Sequence, residues 1–232
     1  MLGERFRSLF RAAGELPTNG GVVLPASAAR REPAARRFDA AEADRQSSGL
    51  RQFFEVLRDQ PRMRILDLGG ATQANINFIT LQGHKLYTED LLLSLDRLVE
   101  QARESRARQA LPARVLAEHL NFPAGEFDGI LVWDTLEFLE EDMLAPSVAR
   151  LQAALKPGGT LLSFFHTHAK GETVAVYRYQ IRDHQTLHLQ PRAQRPLPRA
   201  FNNRNLERMF ANFRSVKFFL ARDNLREVIV TR

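Results

Sequence analysis

A mostly parallel sheet covered by helices on both faces is the fold class this sequence predicts, and three observations predict it. From Ser48 onward, runs with helical spacing alternate with short apolar extended runs, the order that builds parallel strands joined by crossover helices. Residues 127–134, FDGILVWD, are apolar without alternation, as a strand buried on both faces must be. The last two extended runs, 215–221 and 225–231, are separated only by Arg222, Asp223 and Asn224, a turn short enough to force an antiparallel pair.

Composition sets the bounds. A chain of 232 residues with 44% apolar content holds one core domain plus appendages. No run of 18 apolar residues predicts a membrane span. There is no cysteine, which excludes disulfides, thiolate metal sites and a cysteine nucleophile, and fits a cytoplasmic setting. The net charge is +6, and residues 177–232 carry 12 basic against 4 acidic side chains. Such a bias suits a polyanion or an acidic substrate, but it equally describes solvated faces of an arginine-rich chain. The second reading is favoured, because no recognisable nucleic-acid-binding module accompanies the charge.

Taken in order, residues 1–16 read as an amphipathic helix, with Leu2, Phe6, Leu9, Phe10 and Ala13 at helical spacing and arginines between them. Its apolar face packs on its own domain or a partner, or lies on an anionic membrane surface. Residues 17–45, rich in Ala, Pro and Arg without periodicity, read as a flexible arm. The remaining residues, 46–232, form the folded domain. Leu50, Phe53, Phe54 and Leu57 define its first helix face, capped by Ser47 or Ser48.

Residues 64–90, RILDLGGATQANINFITLQGHKLYTED with Arg64 first, then read as strand, tight turn, helix, strand, acid. A turn that opens on Asp67, Gly69 and Gly70 lets backbone approach a ligand, and Asp90 at the end of the second strand suits a ribose. A helix over 91–109, a short strand over 114–118 and the buried strand 127–134 follow. Next come a helix over 142–155, a Lys156-Pro157-Gly158-Gly159 stop and a strand over 160–167. Residues 168–202 form an insertion, with a β-hairpin over 174–189 that turns near Asp183 and His184, then a Pro- and Arg-rich loop over 190–202. A helix over 205–213, capped by Asn202 or Asn203, precedes the final strand pair.

In this arrangement the chain resembles the class I S-adenosylmethionine-dependent methyltransferases over residues 48–232. ILDLGGATQAN is similar to the family's first motif, and Asp90 falls where the family places its ribose-binding acid. LNFPAGEFDGILVWDTLEFL and LQAALKPGGTLLSFFHT resemble the later motifs. The resemblance implies a Rossmann-like, doubly wound, seven-stranded sheet with an antiparallel last strand and the inserted hairpin after the fifth strand. One departure stands out. The family's three turn glycines fall at Gly69, Ala71 and Gln73, so only the first is kept. Either the loop is rearranged, with Thr72 and Gln73 hydrogen-bonding the cofactor, or the chain is a methyltransferase-like scaffold without it.

The resemblance assigns S-adenosyl-L-methionine as cofactor and gives roles to particular residues. Asp67 orients the turn and the cofactor's ammonium, or simply caps the turn's amides. Asp90 binds the ribose hydroxyls, or caps the helix that begins at Leu91. Glu118 and His119 lie where an adenine-contacting loop is expected. Asp134 contacts the methionine part or the acceptor, with Trp133 as a wall. His166 is the candidate catalytic base, with Glu137, Tyr177 and Tyr179 as lesser contributors. No metal site is expected, since His166 and His168 lack a third ligand at recognisable spacing. Methyl transfer to a small-molecule acceptor is the expected function. Arg178, Arg182, Arg192 and Arg195 favour an anionic acceptor. A scaffold protein and a nucleic-acid methyltransferase are the alternatives.

Overall fold

The computed structural model describes residues 41–58, 60–102, 109–220 and 223–232. The amphipathic helix and most of the arm read from the sequence lie outside these residues. The first described elements are β1 (Ala43–Gln46) and α1 (Ser48–Leu57), the latter capped by the Ser47 side chain, which accepts from the Leu50 amide. Strand β2 (Arg64–Asp67) turns into α2 (Gln73–Leu81), followed by β3 (Lys85–Thr88) and α3 (Leu91–Gln101). Helix α4 (Leu111–His119) precedes β4 (Phe127–Trp133). A 3-10 turn (Thr135–Phe138) then leads to α5 (Glu141–Ala154) and β5 (Leu155–His166). The hairpin strands β6 (Thr173–Ile181) and β7 (Thr186–Pro196) come next, then α6 (Asn203–Met209), β8 (Ser215–Leu220) and β9 (Leu225–Thr231).

The central sheet has the order β3-β2-β4-β5-β9-β8. Its first four strands pair in parallel, and β9 runs antiparallel to both β5 and β8. Burial follows the apolar pattern. Leu95, Val115 and Leu151 from α3, α4 and α5 pack with Ile130 and Val132 in one cluster. Phe53 of α1 and Ile79 of α2 pack with Ile65, Leu131 and Phe164 in another. Helices therefore cover both faces, and the carboxyl ends of β2, β4 and β5 open together at one edge, where ligands bind in such sheets.

Several sequence expectations change. Residues 114–118 belong to α4, not to a strand, so the described sheet has six strands rather than seven. Leu111 and Val115 are buried one helical turn apart, and Pro112 lies in the first turn, where its missing N–H costs nothing. Second, β7 continues through Pro196, where a loop was expected. Pro191 lies opposite Tyr177 beside a register shift, a place that tolerates a residue with no amide hydrogen. Third, the closing helix runs over Asn203–Met209, shorter than read, with Asn202 and Asn205 forming a reciprocal capping box.

The hairpin does not join the central sheet. It forms a second sheet, β1-β7-β6, whose third strand comes from the stretch read as the end of a flexible arm. Arg45 explains the order there. It is buried, donates to Asp223 and Glu227, and also reaches the Leu225 carbonyl at 3.1 Å. Glu227 in turn accepts from the Ser47 hydroxyl at 3.0 Å and from the Gly49 amide. A charge network thus ties β1 and the start of α1 to β9. No described helix is long and apolar enough to cross a membrane.

Candidate functional site

The turn after β2 is built on Asp67, which is fully buried. Its carboxylate accepts from the Gly69 amide at 2.9 Å, Asn75 Nδ2 at 2.8 Å and Trp133 Nε1 at 2.6 Å. Burial pushes its pKa up to about 6 in spite of these donors. Thr72 caps α2 through the Asn75 amide at 3.1 Å. Gln73, expected near the cofactor, is exposed and donates to Asn77 at 2.7 Å. The two glycines have definite reasons. A Cβ on Gly69 would lie 2.5 Å from the Trp133 ring. Gly70 has φ +86°, and a Cβ there would lie 2.8 Å from Asp90 Oδ2.

Asp90 stands two residues beyond the second strand of this unit. One carboxylate oxygen accepts from the Leu93 amide at 3.1 Å and caps α3, and the other accepts from Arg192 at 2.6 Å. A second arginine of β7, Arg195, pairs with Asp96 on α3. Two of the four arginines expected to greet an anionic acceptor are therefore committed to the protein itself, while Arg178 and Arg182 are exposed. Glu118 lies on α4, exposed and paired with Arg114 at 3.2 Å. His119 reaches Glu89, at 3.2 Å.

The hairpin is seated against this turn through groups that sequence reasoning missed or underweighted. Asn75 Nδ2 donates to the Tyr179 carbonyl at 3.0 Å, and Asn75 Oδ1 accepts from the Ile181 amide at 2.7 Å. The Trp133 and Tyr179 rings stack, 4.9 Å apart and 3° from parallel. The Tyr179 hydroxyl donates to Asp134 at 3.2 Å, and the Tyr177 amide reaches the same oxygen at 3.4 Å. Burial, with Glu137 nearby, pushes the Asp134 pKa up to about 7. A signal for Asn75 was present in the sequence: it stands one helical turn before the fully buried Ile79, so helical spacing puts an amide on the inner face.

At the end of β5, His166 and Glu137 come together. Glu137 is fully buried, and its carboxylate accepts from the His166 amide at 2.7 Å and faces His166 Nδ1 at 2.5 Å. Burial lowers the affinity of the imidazole for a proton, but the Glu137 carboxylate more than offsets this and raises its pKa. A neutral ring that donates from Nδ1 to the Glu137 carboxylate carries its lone pair on Nε2. His166, His168, Arg45 and Tyr177 line a cavity of about 420 Å³ between β1, β5 and β6. Glu137 was legible only as one acid after the fourth strand; the turn over Thr135–Phe138 is what aims it at His166.

A model of the methyltransferase domain matches residues 40–213. The chain belongs to the methyltransferase domain family. S-Adenosyl-L-methionine is the methyl donor of the class I family that these motifs resemble. No match is found among curated proteins. Among solved structures, the chain is similar to a 1,6-didemethyltoxoflavin-N1-methyltransferase of Burkholderia thailandensis, bound to 1,6-didemethyltoxoflavin and S-adenosylhomocysteine. Identity is 16%, over 79% of this chain and 75% of that one, with a TM-score of 0.44. It is also similar to an S-adenosylmethionine-dependent methyltransferase of Clostridium acetobutylicum, at 11% identity over 79% and 90% of the two chains and a TM-score of 0.46. The Pyrococcus horikoshii protein PH0226 matches at 14% identity over 78% and 88%, again with a TM-score of 0.46. None of these distant likenesses bears on what the methyltransferase domain acts on.

The backbone of the methyltransferase domain fits the donor, because strand, glycine turn, helix and terminal acid stand in the family's order. The side chains that would hold it are engaged within the protein. Asp67 already holds three donors, Asp90 is taken by Arg192, and the Trp133 ring covers Gly69.

Proposed function

We propose that this methyltransferase domain transfers a methyl group from S-adenosyl-L-methionine to a small-molecule acceptor, and that His166 takes the proton the acceptor gives up. The observation that carries this reading is the His166–Glu137 pair, buried at the carboxyl edge of the sheet and facing a cavity large enough for a small molecule. A hydroxyl or amine acceptor must lose a proton as it is methylated, and a neutral imidazole with its second nitrogen held is suited to receive it. Glu137 acts through His166 and is a positioning residue. Arg178 and Arg182 are exposed and do not line this cavity, so the charge of the acceptor does not rest on them. A cytoplasmic setting is consistent with the absence of cysteine.

One observation favours a second reading, a methyltransferase-like binding protein without turnover: the carboxylates that would hold the donor are partnered inside the protein. Calorimetric titration with S-adenosylhomocysteine separates the two. Saturable heat in the natural protein that disappears in Asp90→Asn is expected. Folded protein that takes up no ligand, with Arg192→Ala equally silent, would leave only the binding-protein reading.

A further inference from the structure

We propose that the β6–β7 hairpin is a lid that closes the donor cradle with its own side chains, and that the donor enters only when this lid lifts. The inference rests on the reading that the cradle between β2 and β3 takes S-adenosyl-L-methionine, and it adds how access to that cradle is controlled. Arg192 of β7 donates to Asp90 Oδ2 at 2.6 Å, the carboxylate expected to receive ribose hydroxyls. A guanidinium and a ribose cannot both saturate that group in one place, so Arg192 competes directly with the donor. Tyr179 of β6 stacks on Trp133, and Trp133 lies on the open side of Gly69, within the space a Cβ would fill. The Tyr179 hydroxyl and Tyr177 amide also occupy Asp134.

The hairpin is built as a unit of its own. Its sheet, β1-β7-β6, shares no ladder with the six-stranded sheet, so lifting it breaks no strand pairing. What holds it over the cradle is polar contact together with buried apolar packing: Arg192 to Asp90, Arg195 to Asp96, Tyr179 to Trp133 and Asp134, Asn75 to the β6 backbone, and Tyr179, Ile181 and Leu187 packed with Phe53, Ile79 and Trp133 in one cluster. At its far side Arg45 anchors β1 to Asp223 and Glu227. The ion pairs of the hairpin sit at the cradle end, and a buried charge network holds β1 at the other.

The sequence contains a single tryptophan, and it is the one under the lid. Trp133 emission and its quenching by acrylamide therefore report closure directly. S-Adenosylhomocysteine is titrated against the natural protein, Arg192→Ala and Arg195→Ala while both affinity and emission are read. Arg192→Ala is expected to bind about tenfold tighter or better, the size of one charge-assisted hydrogen bond removed from the closed state. Arg195→Ala touches no donor residue but pins the same hairpin, so it is expected to gain affinity as well. Trp133 emission should change on binding in all three. Equal affinity in all three proteins with unchanged emission would overturn the lid and leave the donor reading standing. A gain in Arg192→Ala alone would also overturn it, reducing closure to one local ion pair. Failure of all three folded proteins to bind would remove the donor reading and the lid with it.

Discussion

Asparagine in place of His166 is expected to lower methyl transfer by about 10²- to 10⁴-fold, the range for losing a positioned general base. Glutamine in place of Glu137 should lower it less and should also move its pH dependence. His166 accepts a proton only when neutral, and its pKa stands above the ordinary 6.5 because the Glu137 carboxylate outweighs burial. The rate should therefore rise with pH through that raised value. Glu137→Gln removes the negative charge, so the rising limb should shift to lower pH while the plateau falls. A merely structural Glu137 would change thermal stability and leave the limb in place. The same shift enters stability with a definite sign. The His166 contribution is full below about pH 6.5 and is lost as pH rises through its raised folded-state pKa.

The largest loss of stability is expected from Arg45→Met. Glu227 is 1% exposed and would keep only the Ser47 hydroxyl and the Gly49 amide as partners. Stranding a buried carboxylate typically costs about 3–5 kcal/mol. For a chain of this size that lowers the melting temperature on the order of 10 °C. Replacing both members, Arg45→Met with Glu227→Leu, should recover much of the loss, because the desolvation of both charges is then relieved. Thermal melts followed by circular dichroism would show it; a single-variant loss below about 1 kcal/mol would mean that the network does not carry β1.

How much of this was legible in the sequence depended on whether the signal was local. The helix faces of α1 and α3, the buried strand β4 and the antiparallel pairing of β8 with β9 are written in spacing and loop length, and the structure follows them. Residues 114–118 read as a strand because a short run with Val115 and Leu116 fits strand or helix until its neighbours bury one face. Strand β1 was hidden because its order comes from Arg45 meeting Asp223 and Glu227, nearly 180 residues later, and no local pattern announces such a pair. The cradle shows the same division. Asp67, Gly69, Gly70 and Asp90 were found by their place in a strand–turn–helix–strand unit. That Arg192, Tyr179 and Trp133 converge on them could not be read, because the hairpin's seat is set by the Asn75 amide and ring stacking between distant elements.

The central claim, methyl transfer to a small molecule at this edge of the sheet, is tested most directly with methyl-tritiated S-adenosyl-L-methionine and the low-molecular-weight fraction of a cell extract. Label should pass into a small molecule with the natural protein and fall by at least about 10²-fold with His166→Asn. Label that stays on the donor with both the natural protein and Arg192→Ala, or that appears in small molecules at the same rate without His166, would contradict the account.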